Sequence, residues 1–363
     1  MVVEARYEKG GAGMGRVVRL DAPRTVTLAT YDDARPGQGQ VRLQTVLSGI
    51  SAGTELTQYR GTNPYLTRAW DSEQRLFVDG APATGYPLDT WGYQEVGRVD
   101  AVGPDVDGIQ RGDQIWGAWQ HRSSVVVDAR WAAQRRLPTE VPAERAIFAC
   151  IGAIALNAVL DADIQLGDHV AVFGLGVPGL LATQMARLSG ARVIAVDRVA
   201  HRLAVAADLG AHRCVDVTTQ DAAAAIRAAT AGRGADVSIE LTGSYLALHD
   251  AVRATAYNSR VVCSGFLQGE GVGLRLGEEF HHNRIAIVCS QISGVRHDLA
   301  HRWSRARLEA TVIDLLARGE LEVDALVSHV LPAEHAADAF ALLDTGHPEV
   351  LQVVLDFTDG ARR

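Results

Sequence analysis

The spacing of hydrophobic positions changes once along this chain, and the change divides it. From about residue 16 to 130 the apolar residues come in short runs broken by glycine and proline. "QVRLQTVL" from Gln40 alternates, "YQEVGRVDAVG" follows from Tyr93, and "SSVVVDA" from Ser123 closes the series. Period two is the spacing of strands with one face buried, and "PGQGQ" and "DVDGIQRGD" supply turns, so this half predicts a compact, barrel-like antiparallel β lobe. Residues 60–92 have weak periodicity and four aromatics before Trp91. A loop of that length is expected to cover a site.

From about residue 145 helix and strand alternate. "ERAIFACIGAIALNAVL" reads as an apolar helix, followed by the strand signals "HVAVFG", "RVIAVD", "ADVSIEL", "RVVCSG" and "IAIVCS", with a shorter one, "RCVDV", at Arg213. The intervening "HRLAVAADLGA" and "DAAAAIRAATAG" are alanine-rich and helical. Continuous apolar strands separated by helices predict a parallel sheet covered on both faces, and six of them suit a doubly wound, nucleotide-binding α/β sheet. Beyond it come a helix, "RARLEATVIDLLARGEL", and a strand, helix and strand in "VSHVLPAEHAADAFALLDTGHPEVLQVVLDF", a tail expected to rejoin the first lobe.

Composition narrows the class. The 363 residues are 47% hydrophobic and 21% charged, which suits a two-lobed globular enzyme without long disorder. Lys and Arg total 35 against 43 for Asp and Glu, with no basic run, so a small molecule is the expected partner and nucleic acid or an anionic membrane is not. No apolar run approaches the ~18–20 residues that span a bilayer, and "MVVEARYEKGGAGMG" carries acids and glycines where a signal core would be apolar; a cytoplasmic location is the expectation. Cys150, Cys214, Cys263 and Cys289 are far apart in sequence and form no C-x-x-C pair, which argues against a closed structural zinc site and for buried thiols.

The first chemical signature is "HVAVFGLGVPGLLATQMARLSGARVIAVD", a strand, a glycine turn, a helix and a second strand. Gly174, Gly176 and Gly179 give the G-x-G-x-x-G spacing: a tight turn, close backbone approach to a pyrophosphate, and close packing of helix on strand. Val177 and Pro178 complete the turn, Pro178 falling in the first helical turn where a missing N–H costs little. Asp197 closes the next strand, 23 positions after Gly174. A carboxylate there accepts both ribose hydroxyls of NAD and repels the 2′-phosphate of NADP, so NAD(H) is the expected cofactor, although the adjoining Arg198 softens the preference.

Taken together, these segments resemble the medium-chain dehydrogenase/reductase superfamily, the zinc alcohol dehydrogenase-like enzymes. "SGISAGTEL" resembles that family's "GICGTD" segment, "WGYQEVGRVDAVG" its "GHEAAGxVxxVG" segment, and "GLGVPG" with "AVDRVAHRLAVAADLGA" its cofactor half. The resemblance implies a mainly antiparallel β GroES-like catalytic domain, residues 1–145 plus 295–363, with a Rossmann NAD-binding domain, residues 146–294, inserted. It also implies a homodimer, Asp197 on ribose, Arg202 on the adenosine side, and Thr242 and Ser264 beside the nicotinamide.

The departures from that family's pattern carry the chemistry. With Thr54 and Glu55 laid on its Thr-Asp, the metal cysteine becomes Ala52, with Ser51 beside it; the histidine and glutamate of "GHE" become Tyr93 and Gln94. Only Cys150 falls near the third ligand place, and the segment with four structural-zinc cysteines is missing. One thiol cannot hold a catalytic zinc that takes three protein ligands. The chain is therefore identified as a zinc-free member, similar to the bacteriochlorophyllide hydroxyethyl dehydrogenase and sugar dehydrogenase-like subgroup.

Without zinc to acidify the alcohol, a side chain must move its proton. Tyr93 can donate to a carbonyl or relay a proton, against packing in a strand; Glu55 and Thr54 can bond or pass on a hydroxyl proton, against a structural role. Glu95 shares a strand face with Tyr93. His121 can serve as general base near neutral pH, against a satisfied structural histidine. His281 and His282, in "EFHHNRIAIVCSQ", are substrate candidates against a solvated turn. The leading expectation is a zinc-independent, NAD-dependent oxidoreductase interconverting a secondary alcohol and a ketone on a sugar, cyclitol or other polyhydroxylated compound. The alternatives are a zinc-free quinone or enone reductase and a non-catalytic NAD(H)-binding sensor or structural protein.

Overall fold

A computed structural model describes residues 13–82 and 84–358, so the N-terminal stretch read above as lacking a signal core lies largely outside the described residues. The chain separates into two compact units, residues 1–150 with 327–363, and residues 151–326.

The first unit begins with a hairpin of β1 (Met14–Ala22) and β2 (Thr25–Asp32), then β3 (Gln40–Ile50). A short helix α1 (Glu55–Arg60) follows. Within the segment expected to be a loop, β4 (Ala69–Asp71) and β5 (Leu76–Val78) pair as a small hairpin. Tyr65 and Trp70 pack edge-on against Phe77, and this aromatic cluster holds residues whose sequence shows no period. The β lobe continues with β6 (Glu95–Val102), β7 (Gln114–Gly117) and β8 (Ser124–Asp128), and then the short helices α2 (Ala129–Ala133) and α3 (Ala143–Ala146).

In the second unit, α4 (Phe148–Ala162), which starts in the first, leads to β9 (His169–Phe173), α5 (Val177–Leu188), β10 (Arg192–Asp197), α6 (Ala200–Asp208) and β11 (Arg213–Asp216). There follow α7 (Ala222–Ala229), β12 (Ala235–Glu240), α8 (Tyr245–Ala254), β13 (Thr255–Cys263), β14 (Ala286–Cys289) and α9 (Arg305–Ala317). All six expected strands form one parallel sheet in the order β11-β10-β9-β12-β13-β14. Its central strand β9 carries Val170, Ala171 and Val172 fully buried, as a strand covered on both faces requires.

The chain then returns to the first unit through β15 (Val327–Pro332), α10 (Ala336–Asp344) and β16 (Gln352–Asp356). There β16 pairs with β3, giving the sheet order β15-β16-β3-β6-β7, with β8 also on β3. The architecture is a mainly antiparallel GroES-like unit interrupted by a Rossmann unit.

Two expectations need correction. Residues 295–326 belong to the Rossmann unit, not the β unit. Gln184 on α5 bonds the backbone of Glu322 in both directions, Arg296 bonds Asp163, and Val312 sits where a side chain on Gly152 would go. Also, the stretch Ala143–Ala162 is helical, long and apolar enough to cross a membrane, but 72% of it is buried within the protein, as in a core helix.

The core beneath the first unit's site is aromatic. Phe340 on α10 is fully buried, stacked on Trp91 at 4.3 Å and on Tyr59 at 5.7 Å. Phe340→Ala removes both stacks and leaves a cavity, so denaturant unfolding is expected to register a loss of about 3–5 kcal/mol; a loss below about 1 kcal/mol would mean this core is not what holds α10.

Candidate functional site

Two groups of side chains carry the chemistry, one in each unit.

In the β unit, the period-two pattern of β3 ends in polar residues. Ser48 lies opposite Glu95 in the β3–β6 register, and both are buried. Glu55, at the start of α1, accepts from the Ser51 backbone N–H at 3.0 Å and meets Nε2 of His121 at 2.7 Å. The other ring nitrogen of His121 lies 2.6 Å from the Ser48 hydroxyl, which donates to Glu95 at 3.0 Å. The remaining Glu95 oxygen accepts from the Trp119 backbone at 2.7 Å. Glu55, His121, Ser48 and Glu95 form one continuous hydrogen-bonded chain, each at most 1% exposed.

The donor directions in that chain are consistent with an imidazolium that donates at both nitrogens, to Glu55 and to Ser48. Burial opposes the charge most strongly, but Glu55, by charge and hydrogen bond, and Glu95 together raise the His121 pKa above its ordinary value. Burial likewise lifts Glu95 to about 7, despite His121, the Trp119 N–H and Ser48. Gly92 makes room for the ring: its φ is +99°, and a Cβ there would lie 2.8 Å from His121.

Next to this chain lies a hydroxyl pair. The Ser51 hydroxyl bonds the Tyr93 phenol at 2.5 Å, Tyr93 retains some exposure, and Thr54, itself exposed, lies near enough to the phenol to favour its ionised form. Burial of the phenol, with the nearby Glu55 charge and Cys150 thiol, outweighs the Ser51 and Thr54 hydrogen bonds and holds its pKa well above the ordinary value, so the phenol stays protonated. Cys150 is buried and directs its thiol to the Gly117 carbonyl at 3.6 Å. Ala52 is exposed, whereas the neighbouring Ser51 is buried. A hydroxyl, a protonated phenol and one thiol do not fit a catalytic zinc, which takes Cys, His or carboxylate ligands.

This arrangement changes the expected roles. Glu55, Glu95 and His121 are each at most 1% exposed and bonded to one another through Ser48, and they tie together the segments that carry Ser51 and Tyr93. Sequence reasoning missed Ser48 and Gly92. The break in alternation at Ser48 and the glycine beside Tyr93 were the available signals.

In the Rossmann unit the expected cofactor residues converge at the carboxyl ends of the strands. Gly174 follows β9 with φ +89°, and a Cβ on it would strike Thr242 at 2.6 Å; a Cβ on Gly179 would lie 1.8 Å from the Gly174 carbonyl oxygen. At Gly176 the nearest atom to a Cβ is Pro178 Cδ at 4.0 Å, so no packing inside the chain demands that glycine. Close approach of a ligand does. Gly176 caps α5 without a side-chain bond, Val177 and Pro178 form its first turn, and the helix end is open to an anion.

Asp197 ends β10 and accepts from the Leu175, Arg198 and Val199 N–H groups, which fixes its carboxylate beside the glycine turn. Arg202 lies in the first turn of α6. After β12, Thr242 bonds the buried Glu240 carboxylate, whose pKa burial raises. After β13, the Ser264 hydroxyl is buried with no partner among the described residues. The glycine cradle, the open helix end, the fixed acid and the orphaned hydroxyl fit a dinucleotide.

His281 and His282 do not join this group. They are exposed, meet edge to face with ring centroids 5.3 Å apart, and precede β14 at the opposite, N-terminal edge of the sheet, where the Asn258 N–H bonds the Asn283 carbonyl. The direction of the strand they precede places them away from the edge where the cofactor residues lie.

Comparison with known proteins agrees with this architecture. The family model described as zinc-binding dehydrogenase matches residues 176–307. D-guloside 3-dehydrogenase of Escherichia coli (strain K12) is 30% identical over 334 residues, covering 90% of this chain and 95% of that protein. The crystal structure of 2R,3R-butanediol dehydrogenase from Bacillus subtilis shares the fold with a TM-score of 0.76 at 20% identity, covering 94% of this chain and 99% of the other. A short chain alcohol dehydrogenase from E. coli CFT073, solved with NADH, gives a TM-score of 0.75 at 21% identity, covering 95% and 99%. The chain belongs to the zinc-binding dehydrogenase family, the medium-chain, alcohol dehydrogenase-like proteins.

The raised Glu95 and His121 pKa values have a consequence for stability. The folded state holds the Glu95 proton up to about pH 7, against an ordinary value of 4.5. That stabilisation is therefore complete below about pH 4.5 and is lost as the pH rises through 7, and His121 acts with the same sign. The stability advantage of the wild type over Glu95→Gln should fall across this window by on the order of 3 kcal/mol, read from unfolding curves at several pH values. A difference that is flat with pH would rule out a proton held at Glu95.

Proposed function

We propose that this chain is an NAD-dependent dehydrogenase that interconverts a secondary alcohol and a ketone on a sugar or other polyhydroxylated small molecule, without a catalytic metal. The observation that carries the reading is the hydroxyl pair of Ser51 and Tyr93, carried by the two segments that resemble the family's metal-ligand segments and flanked by exposed Thr54. The relative named D-guloside 3-dehydrogenase supports a sugar-like substrate oxidised at a ring position. The preference for NAD rests on the Asp197 carboxylate, which favours ribose hydroxyls and repels a 2′-phosphate.

The bound nicotinamide supplies the hydride acceptor or donor. Tyr93, held as a neutral phenol, donates its proton to the ketone oxygen as the alkoxide forms. In the oxidative direction the phenol oxygen takes the alcohol's proton while its own passes to the exposed Thr54 hydroxyl, which gives one up to solvent; in reduction the same relay run backwards returns a proton to the phenol. Glu55 and His121 are positioning residues in this scheme: Glu55 holds the Ser51 backbone, and His121 holds Glu55. Dimerisation through the edge strand β14, which is partly exposed, belongs to the same proposal.

Tyr93→Phe keeps the ring and removes the proton. It should lower kcat by roughly 10²–10⁴-fold while NADH affinity, measured by fluorescence titration, changes less than about twofold. Unchanged turnover would remove Tyr93 from the mechanism. Asp197→Asn should narrow the preference for NADH over NADPH by about tenfold or more, as read from the two dissociation constants. An unaltered ratio would mean that another residue selects the cofactor.

A further inference from the structure

The Rossmann unit holds a second cluster that the proposed reaction does not use. His249, in the middle of α8, is 5% exposed, and neither ring nitrogen has a hydrogen-bond partner among the described residues. A neutral imidazole carries one donor and one acceptor, and leaving both unmade in a buried place is a cost that folded proteins rarely accept. The ring faces Glu278 and Glu279, in the helical turn Leu276–Phe280 that packs on α8. One Glu279 oxygen is also buried and without a partner.

One ligand atom from each of these three residues lies within 4.8 Å of the others. Around an ion with bonds of about 2.1 Å, tetrahedral ligands stand roughly 3.4 Å apart, so a small rotation of the two glutamates closes the set. Two carboxylates balance a divalent charge. Each nearby arginine engages one oxygen of a glutamate and leaves the second: Arg275 bonds Oε2 of Glu278 at 2.8 Å, and Arg253, also bound to Asp221 and Asp250, stands 3.6 Å from Oε1 of Glu279. The unpartnered Oε2 of Glu279 and the imidazole remain available.

We propose that His249, Glu278 and Glu279 form a binding site for one divalent transition-metal ion of the zinc class, separate from the Ser51–Tyr93 site. One nitrogen and two carboxylate oxygens suit zinc better than magnesium or calcium, which take oxygen ligands. The ion clips the turn 276–280 to α8 at Glu278, whose backbone departs from helical geometry with φ −100° and ψ −123°. Its role is structural, securing the connection between β13 and β14.

The test uses the full chain stripped of metal with a chelator, titrated with Zn²⁺ and separately with Mg²⁺ by calorimetry, with elemental analysis after dialysis and thermal melts with and without Zn²⁺. The expected result is that the wild type binds one equivalent of zinc, that this affinity falls at least tenfold in both His249→Gln and the double variant Glu278→Gln/Glu279→Gln, that zinc raises the melting temperature of the wild type alone, and that Mg²⁺ shows no comparable binding. Circular dichroism identifies a variant that fails to fold, and the glutamate pair then carries the test. No saturable zinc binding, zinc affinity unchanged in the folded glutamate variant, or equal binding of Mg²⁺ would overturn the assignment. None of these readouts depends on turnover, so the result is independent of the proposed dehydrogenase activity.

Discussion

The β unit's site depends on one buried charge. His121 is sealed between Glu55 and the Ser48–Glu95 pair, and removing a charge from water costs several kcal/mol unless partners replace the solvent. Here they do so from three separate places in the chain: the end of β3, the start of α1 and the start of β6, all meeting the ring on the segment after β7. Because each of these is tied to the same ring, a shift in any one would leave a buried ion short of a partner. The aromatic core beneath, with Trp91 and Phe340 edge-on to His121, and the side-chain-free Gly92 above it fit the same ring.

That constraint gives the hydroxyl pair its precision. Ser51 follows β3 and is fixed through Glu55; Tyr93 stands two residues before Glu95 on the approach to β6. Both hydroxyls are thus referred to one rigid network, and Thr54 at the edge gives the proton a way out. A protonated phenol on a rigid mount is a suitable donor to a carbonyl oxygen, whereas a metal would need ligands that these positions do not carry. In the Rossmann unit, the precision comes from glycine. Contacts as close as those of Gly174 and Gly179 tolerate no side chain, and the backbone is brought up to where a pyrophosphate can be held by N–H groups.

Much of this was legible in the residues. The six parallel strands, the glycine turn, the acid at Asp197 and the tail that rejoins the first sheet follow from periodicity and from motifs whose parts lie within about thirty residues of one another. What escaped was set by distant neighbours. That Ser51, and not the neighbouring Ala52, turns inward to meet Tyr93 is decided by that contact and not by the sequence around it. Residues 295–326 look like a return to the β unit, yet Gln184, Asp163 and Gly152 hold them in the Rossmann unit. His121 resembles a titrating base until burial places it behind the site, and His281 with His282 resemble a reactive pair until strand direction puts them at the wrong edge.

The sequence by itself therefore determined the elements, their order and the dinucleotide cradle, since these rest on local propensity, on period and on glycines a few residues apart. Only the tertiary structure decided which polar residues meet. Ser48 with His121, Ser51 with Tyr93, and His249 with Glu278 and Glu279 are separated by 73, 42 and about thirty positions, and no local rule links them. Burial and hydrogen-bond direction, which assign their protonation and roles, exist only once the chain has folded.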